Sequence, residues 1–146
     1  MEVYDMKKVI CLTLCALMFA GCSSNSKADI KEGKATYTND KGEVTTAKVK
    51  LKNGDLEEVE IDETAQGKDK SKKALGNDYQ MKQASKIGKE WYEQIDFLEK
   101  YIEKKGVDSI KLNKEGKAEN NDVTSGCTIR IDGFLKAVKE AEKNAK

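Results

Sequence analysis

Histidine and proline do not occur in this chain of 146 residues, and only 6% of its residues are aromatic. Without histidine, the protein has no imidazole for general acid–base catalysis, for metal binding or for a charge switch near neutral pH. Without proline, its turns must rely on glycine, asparagine and aspartate. The low aromatic content predicts a modest hydrophobic core, and the length suits a single domain.

A dominant charge of one sign is also missing, because 27 basic residues face 26 acidic ones and the net charge is +1. Proteins that bind nucleic acids usually concentrate basic charge, so we expect no nucleic-acid partner. We find no nucleophile paired with a base and no carboxylate pair at a meaningful spacing, so the sequence does not predict an enzyme. We expect a monomer with a strongly charged surface.

The first 22 residues have the pattern of a secretory signal. The basic stretch MKK, Met6–Lys8, precedes an uncharged apolar run of 13 residues that ends just before Cys22. Such a run is too short to span a bilayer comfortably. The acidic leader MEVYD is unusual for a signal, which favours Met6 over Met1 as the first translated residue.

The end of this run, FAGC, resembles the lipobox of bacterial lipoproteins, with Ala20 and Gly21 as the small residues before the cysteine. The resemblance implies that Cys22 carries lipid and anchors the mature chain to the extracytoplasmic face of the cell membrane. The alternative is an ordinary cleaved signal that ends by chance at a cysteine. Residues 23–33 are polar and lack an apolar period, as expected for a flexible tether.

The four cysteines divide between these segments. Cys11 and Cys15 leave with the signal peptide, and lipid occupies Cys22, so Cys127 remains as a free thiol. This distribution excludes a disulfide framework and a cysteine metal cluster. Arg130 is the one basic residue close to Cys127 in sequence, so we expect a buried and unreactive thiol.

The segment from 34 to 63 predicts antiparallel strands. Ala47, Val49 and Leu51 alternate with lysines, which is the period of a half-buried strand. The pair Asn53-Gly54 favours a type I′ hairpin turn between this strand and the next. Lys48 and Lys50 are expected to face Glu58 and Glu60 across the solvent side of the hairpin; these four residues are Lys48, Lys50, Glu58 and Glu60.

Helices and one late strand are predicted in the second half. The spacing of apolar residues predicts a helix from Ser85 to Gly106, and a short helix is expected around Ser71 to Leu75. Val107–Leu112 is expected to form a strand, and Asp132 is the expected N-cap of a C-terminal amphipathic helix. The fold class is therefore α+β, an antiparallel sheet with helices packed on one face.

The stretch DVTSGCT, Asp122–Thr128, has the order Asp, two variable residues, Ser or Thr, Gly, a small residue and Thr. Here the chain resembles the bacterial FMN-binding domain family, whose members carry FMN as a phosphoester on the final threonine. The resemblance implies Thr128 as the attachment residue, Asp122 and Ser125 as recognition residues, and Gly126 as the position of close approach. Cys127 stands where the family has alanine, and it is small enough for the site to accept it.

The resemblance covers most of the mature chain. The strand KEGKATYTN, the hairpin VKLKNGDLEEVEID and the helix GFLKAVKEAEKNA are all similar to this family, which implies an FMN-binding-domain-like fold over 34–146. It also implies an electron carrier, with a secreted flavin transferase and a membrane reductase or quinone pool as partners. The N–H groups at the start of the last helix are expected to face the phosphate just upstream.

Two alternatives remain open at this point. The chain can be a flavin-free, degenerate member of the fold that acts as a surface binding or envelope lipoprotein. In that case SGCTIRI is a turn entering a strand, with Cys127, Ile129 and Ile131 pointing inward and Thr128 outward. Trp91 is expected in the core, although an aromatic side chain there is also able to stack on a ring ligand.

Overall fold

The computed structural model describes residues 27–146, so the predicted signal peptide and the predicted lipid anchor at Cys22 lie outside the described residues. Three antiparallel strands form one sheet in the order β1-β2-β3. They are β1, Ile30–Thr38, β2, Val44–Lys52, and β3, Asp55–Glu63. No helix within 27–146 has the length and apolar character needed to cross a membrane.

The turn between β2 and β3 is the predicted type I′ hairpin. Asn53 and Gly54 both have positive φ angles, 54° and 90°, as this turn requires. The Asn53 side chain accepts a hydrogen bond from the Asp29 N–H, which fixes the start of β1 beside the turn. Because β1 begins at Ile30, the last four residues of the predicted tether belong to a strand.

The two faces of the sheet differ as the alternation predicts. Ala47 and Val49 of β2 and Val59 and Ile61 of β3 are buried on one face. On the other face, Lys48 and Glu60 form an ion pair of 2.9 Å with both side chains about half exposed, as the sequence predicts. An exposed pair of this kind contributes little stability, so the sheet is held mainly by its buried face. Lys50 also lies near Glu57 and Glu58, at 3.5 and 4.0 Å.

Four α-helices follow or flank this face, and their bounds are α1, Lys72–Leu75, α2, Trp91–Lys105, α3, Asn121–Thr124, and α4, Asp132–Asn144. Helix α4 packs on β1 and β2, and α2 packs on β3. Gly33 permits the crossing of α4, since a Cβ there would collide with the Ala141 carbonyl oxygen and the Ala145 backbone. The α+β prediction is confirmed: a three-stranded antiparallel sheet has helices packed against it.

The outer edge of β3 is capped by two carboxylates of α2. The Ile61 N–H donates to Glu99 Oε1 at 2.6 Å, and the Val59 N–H donates to Glu103 Oε1 at 3.0 Å. Glu99 and Glu103 are one helical turn apart, so they follow the spacing of the outward N–H groups along the strand. This arrangement satisfies an edge that would otherwise be open to pairing with another strand.

Helix α2 is shorter than predicted at its N-terminus. It begins at Trp91, because Gly88 has a φ angle of 63° and Glu90 forms a capping box with Glu93. Ser85 instead accepts hydrogen bonds from the N–H groups of Ile87 and Lys89 in a preceding turn. The apolar stripe is confirmed from Trp91 onward, since Trp91, Ile95, Leu98 and Ile102 are all buried.

The strand predicted over Val107–Leu112 is wrong. Val107–Ser109 is a turn of 3-10 helix, and Leu112 forms an isolated bridge with Ala118. The reason is a side chain that replaces the neighbouring strand. Asn120 accepts a hydrogen bond from the Lys111 N–H at 2.7 Å and donates to the Ser109 carbonyl oxygen at 3.2 Å.

Candidate functional site

The motif loop lies along helix α2 and runs in the opposite direction. Asp122 accepts a hydrogen bond from the Tyr101 hydroxyl at 3.0 Å, and the Thr128 N–H donates to Gln94 Oε1 at 2.9 Å. Between these contacts, Gly126 lies against the ring of Phe97. The three partners on α2 are spaced by three and four residues, so they share one face of the helix.

Gly126 has a packing role that the family resemblance does not imply. A Cβ at this position would lie well inside the van der Waals surface of the Phe97 ring. The close approach at Gly126 is therefore made by an aromatic side chain of the protein itself. The small residue is needed to seat the loop on α2, whatever else the motif does.

Cys127 is a core residue, as predicted. Its exposed fraction is 1%, and burial raises the pKa of its thiol to about 12, so it is protonated at neutral pH and a poor nucleophile. The alternative in which SGCTIRI forms a strand is wrong. Residues 125–131 contain no strand, and the Cys127 N–H donates to the Val123 carbonyl oxygen after the short helix α3. Cys127 and Ile131 are nevertheless both buried.

Thr128 is half-buried, and its backbone is held more firmly than its hydroxyl. Gln94 Oε1 accepts the Thr128 N–H at 2.9 Å, but the Thr128 Oγ1 lies 3.5 Å from the same oxygen, at the outer limit of a hydrogen bond. Gln94 itself is fully buried and donates to Ser85 Oγ and to the Lys89 carbonyl oxygen. The hydroxyl is thus fixed in place without a strong partner of its own.

The predicted recognition residues do not gather around Thr128. Ser125 is exposed and donates to the Asp122 carbonyl oxygen at 2.9 Å, within its own turn. Asp122 and Thr128 meet α2 at Tyr101 and Gln94, which are about 10 Å apart along a helix axis with its rise of 1.5 Å per residue. The structure therefore spreads the motif along α2.

A cavity of about 300 Å³ begins where the motif ends. Ile129 and Arg130 line it directly after Thr128, and the start of α4 forms another wall. Four aromatic side chains contribute to the lining: Tyr37, Tyr79, Trp91 and Phe134. Trp91 is a core residue with 3% exposure, as predicted, and its ring meets Phe134 edge to face at 5.9 Å.

A buried ammonium group lies at the inner end of this cavity. Lys72 Nζ is 2.5 Å from Glu63 Oε1 and 3.0 Å from Glu43 Oε1, and the second oxygen of Glu63 accepts the Thr45 hydroxyl at 2.8 Å. Burial alone would lower the pKa of Lys72, but hydrogen bonds to the two carboxylates raise it. Lys72 also lies 5.5 Å from the ring centroid of Tyr79 and 5.9 Å from that of Trp91.

The rim of the cavity carries a second ion pair. Arg130 Nε lies 2.6 Å from Asp132 Oδ1, and this hydrogen bond lowers the pKa of Asp132. Asp132 is the first residue of α4 and Ile131 precedes it, so the prediction of Asp132 as N-cap is wrong by one residue. Its carboxylate is taken by Arg130 and also lies 3.5 Å from Lys136.

Sequence reasoning missed the charged end of the cavity, although one signal for it exists. Val59 and Ile61 point inward on β3, and the alternation places Glu63 on the same buried face. A carboxylate in an inward row requires a buried partner. The partner, Lys72, follows nine residues later at the start of α1, and Glu43 precedes β2.

Comparison with known proteins places the fold alone. No protein-family model and no curated protein matches the chain. A solution NMR structure of a Clostridium thermocellum protein, a target of the Northeast Structural Genomics Consortium, is similar with a TM-score of 0.52. The match covers 82% of this chain and 92% of that chain at 23% sequence identity, which supports a shared α+β architecture.

Proposed function

We propose that this protein is a membrane-anchored, extracytoplasmic lipoprotein that carries FMN on Thr128 through a phosphoester and acts as an electron carrier. The proposal includes an FMN-binding-domain-like fold over 34–146 and a lipid anchor at Cys22. Its partners would be a secreted flavin transferase and a membrane reductase or quinone pool. The protein would have no substrate of its own, because the redox chemistry belongs to the cofactor.

The observation that carries this proposal is the position of Thr128. Its N–H is held by buried Gln94, its hydroxyl has one long contact at 3.5 Å, and the next two residues line an aromatic cavity. A hydroxyl so placed is available for esterification at little cost in lost hydrogen bonds. The chain after it leads directly to a cavity wall.

The surroundings of Thr128 suit a phosphate. Arg130, two residues away, offers a guanidinium group, and the first N–H groups of α4 follow it. Asp132 would repel a phosphate, but its carboxylate is paired with Arg130 at 2.6 Å. The basic and acidic groups at the rim therefore offset each other, and the helix N-terminus adds a favourable dipole.

The residues present also fit part of a flavin. A cavity of about 300 Å³ lies at the lower end of the size range of ligand pockets, which suits a ring system better than a whole nucleotide. When bound, FMN supplies one-electron and two-electron transfer. The chain's own contribution would be to hold the ribityl phosphate at Thr128, to shield a ring from water and to set the charge around it.

Intact-mass measurement of the chain, co-expressed with a flavin transferase and processed by the cell, tests the attachment. We expect a mass increase of one FMN moiety that disappears in Thr128→Ala. The matched control is Thr124→Ala, a threonine in the same segment whose hydroxyl donates to the Asn121 carbonyl oxygen. That variant should keep the adduct. An adduct that survives Thr128→Ala, or its absence from the wild-type protein, would contradict the proposal.

The second candidate is a flavin-free surface or envelope lipoprotein of the same fold. The observation in its favour is that Asp122, Gly126 and Thr128 all have partners on α2, so packing alone accounts for the motif. Cys127→Ala separates the two candidates, because it restores the alanine of the family motif. If only this variant acquires FMN, the natural site has lost its flavin; if neither does, the second candidate is favoured.

A further inference from the structure

We propose that the cavity beside Thr128 binds a planar aromatic ring that carries carbonyl acceptors, and that Lys72 is the residue that donates a hydrogen bond to that ring. The inference deepens the proposed function, on which the identity of the ring as a flavin rests. The binding site itself is argued from the residues of the cavity. It can therefore be tested on protein that carries no adduct.

The lining favours a flat, apolar ligand. Tyr37, Tyr79, Trp91 and Phe134 come from β1, the segment after α1, and the first turns of α2 and α4. Aromatic side chains bind flat rings by stacking and edge-to-face contact. Trp91 and Phe134 are almost fully buried, and their mutual contact at 87° keeps both rings in fixed orientations. The walls are therefore preformed.

Lys72 supplies the polar contact that such a ligand needs. An ammonium group has three donors, and Glu63 and Glu43 take two of them. Within residues 27–146 no third acceptor is hydrogen-bonded to Lys72 Nζ, although its side chain is only 7% exposed and lines the cavity. A carbonyl oxygen on the edge of a bound ring would take the third donor.

Stability alone is a weak reason for this arrangement. Replacing a buried ion cluster with apolar side chains of similar volume is often neutral or stabilising. The cluster of Lys72, Glu43 and Glu63 nevertheless lies at the end of a space with aromatic walls. A charge that is held in place by two carboxylates beside such a space is oriented for a ligand, in the way that binding pockets place a few polar groups among apolar ones.

The single tryptophan of the chain gives a specific measurement. Trp91 lines the cavity, so the one indole N–H cross-peak in a two-dimensional NMR spectrum reports on its occupancy. We expect riboflavin, added to chain produced without a flavin transferase, to shift this peak in a saturable manner. Thr128→Ala should respond as the wild-type does, because free riboflavin needs no ester. No shift in the wild-type protein would overturn the proposal.

Lysine variants test the donor. Lys72→Met should weaken riboflavin binding by about tenfold or more, as expected for loss of a hydrogen bond from a charged group. Lys73→Met is the matched control, since the Lys73 ammonium pairs with Glu99 at 2.7 Å and does not line the cavity. If Lys72→Met unfolds, Lys72→Met/Glu63→Gln removes the unpaired carboxylate and is measured in its place. Wild-type affinity in the folded Lys72 variant would overturn the role of Lys72.

The same titration distinguishes a tethered ring from a free one. In protein that carries FMN on Thr128, the indole peak should already be shifted, and added riboflavin should cause no further change. A modified protein that still binds riboflavin with the affinity of unmodified protein would overturn the assignment of this cavity to the flavin. A missing mass adduct together with riboflavin binding would instead contradict the proposed attachment and support the cavity.

Discussion

Two neighbouring regions, the motif loop and the aromatic cavity, meet at Thr128 and are built in different ways. On the N-terminal side, Asp122, Gly126 and Cys127 contact α2 or the core. On the C-terminal side, the chain enters a cavity whose charged end, Lys72, comes from a distant part of the sequence. The recognisable motif is thus largely structural, whereas the chemical capacity next to it is assembled by the tertiary fold.

The largest expected effect comes from the cavity side. Lys72→Met leaves Glu43 and Glu63 buried without their counter-charge, and breaking a buried pair of this kind costs about 3–5 kcal/mol of the free energy of unfolding. Lys73→Met should cost about 1–2 kcal/mol, because the Lys73 side chain is 27% exposed and Glu99 keeps the Ile61 N–H. Urea unfolding of both variants is the measurement. Equal losses would remove the distinction between the two lysines.

The motif side should break next at Gly126. Gly126→Ala places a methyl group inside the ring of Phe97, and overpacking of this kind costs about 1–3 kcal/mol. Phe97→Ala in the same chain removes the clash, so the double variant should be more stable than the sum of the two single losses predicts. Strict additivity of the two unfolding free energies would show that the loop does not rest on Phe97.

Gln94→Met tests the contact that holds Thr128 and should have a smaller effect. Methionine fills a similar volume but leaves the Thr128 N–H without its acceptor, at a cost of about 1–2 kcal/mol. Amide hydrogen exchange at Thr128 should become faster than at Cys127, whose N–H donates to the Val123 carbonyl oxygen. Unchanged exchange at Thr128 would mean that Gln94 does not fix the attachment residue.

The sequence predicts the parts of this fold that depend on local pattern. The Asn53-Gly54 turn and the stripe of Trp91, Ile95 and Leu98 follow from backbone conformation and helical period. The N-terminus of α2 could not be predicted, because Ser85 is an equally suitable cap and Glu90 prevails through its capping box with Glu93. The strand expected after Gly106 is absent because the side chain of Asn120 bonds to that segment.

The candidate site divides in the same way. The order of residues from Asp122 to Thr128 is visible in the sequence, but their partners on α2 are not, because tertiary packing decides which helix face meets the loop. The cavity depends on ion pairs between segments 9 and 29 residues apart, Lys72 with Glu63 and with Glu43. A single sequence reveals such pairs only indirectly, through a charged residue in an inward-facing row.

The smallest expected effect is on the pH dependence of stability, where Glu43 and Glu99 should act in opposite directions. Burial opposes ionisation of Glu43, but hydrogen bonds with Asn39 and Lys72 lower its pKa below 4.5, so its contribution is present above pH 4.5 and is lost as the pH falls further. Burial raises the pKa of Glu99 above 4.5, so its contribution is present below pH 4.5 and is lost as the pH rises. Thermal melts should therefore show less acid destabilisation in Glu43→Gln and a smaller loss above pH 4.5 in Glu99→Gln. The same response in both variants would contradict the separate environments of the cavity and the α2 contact.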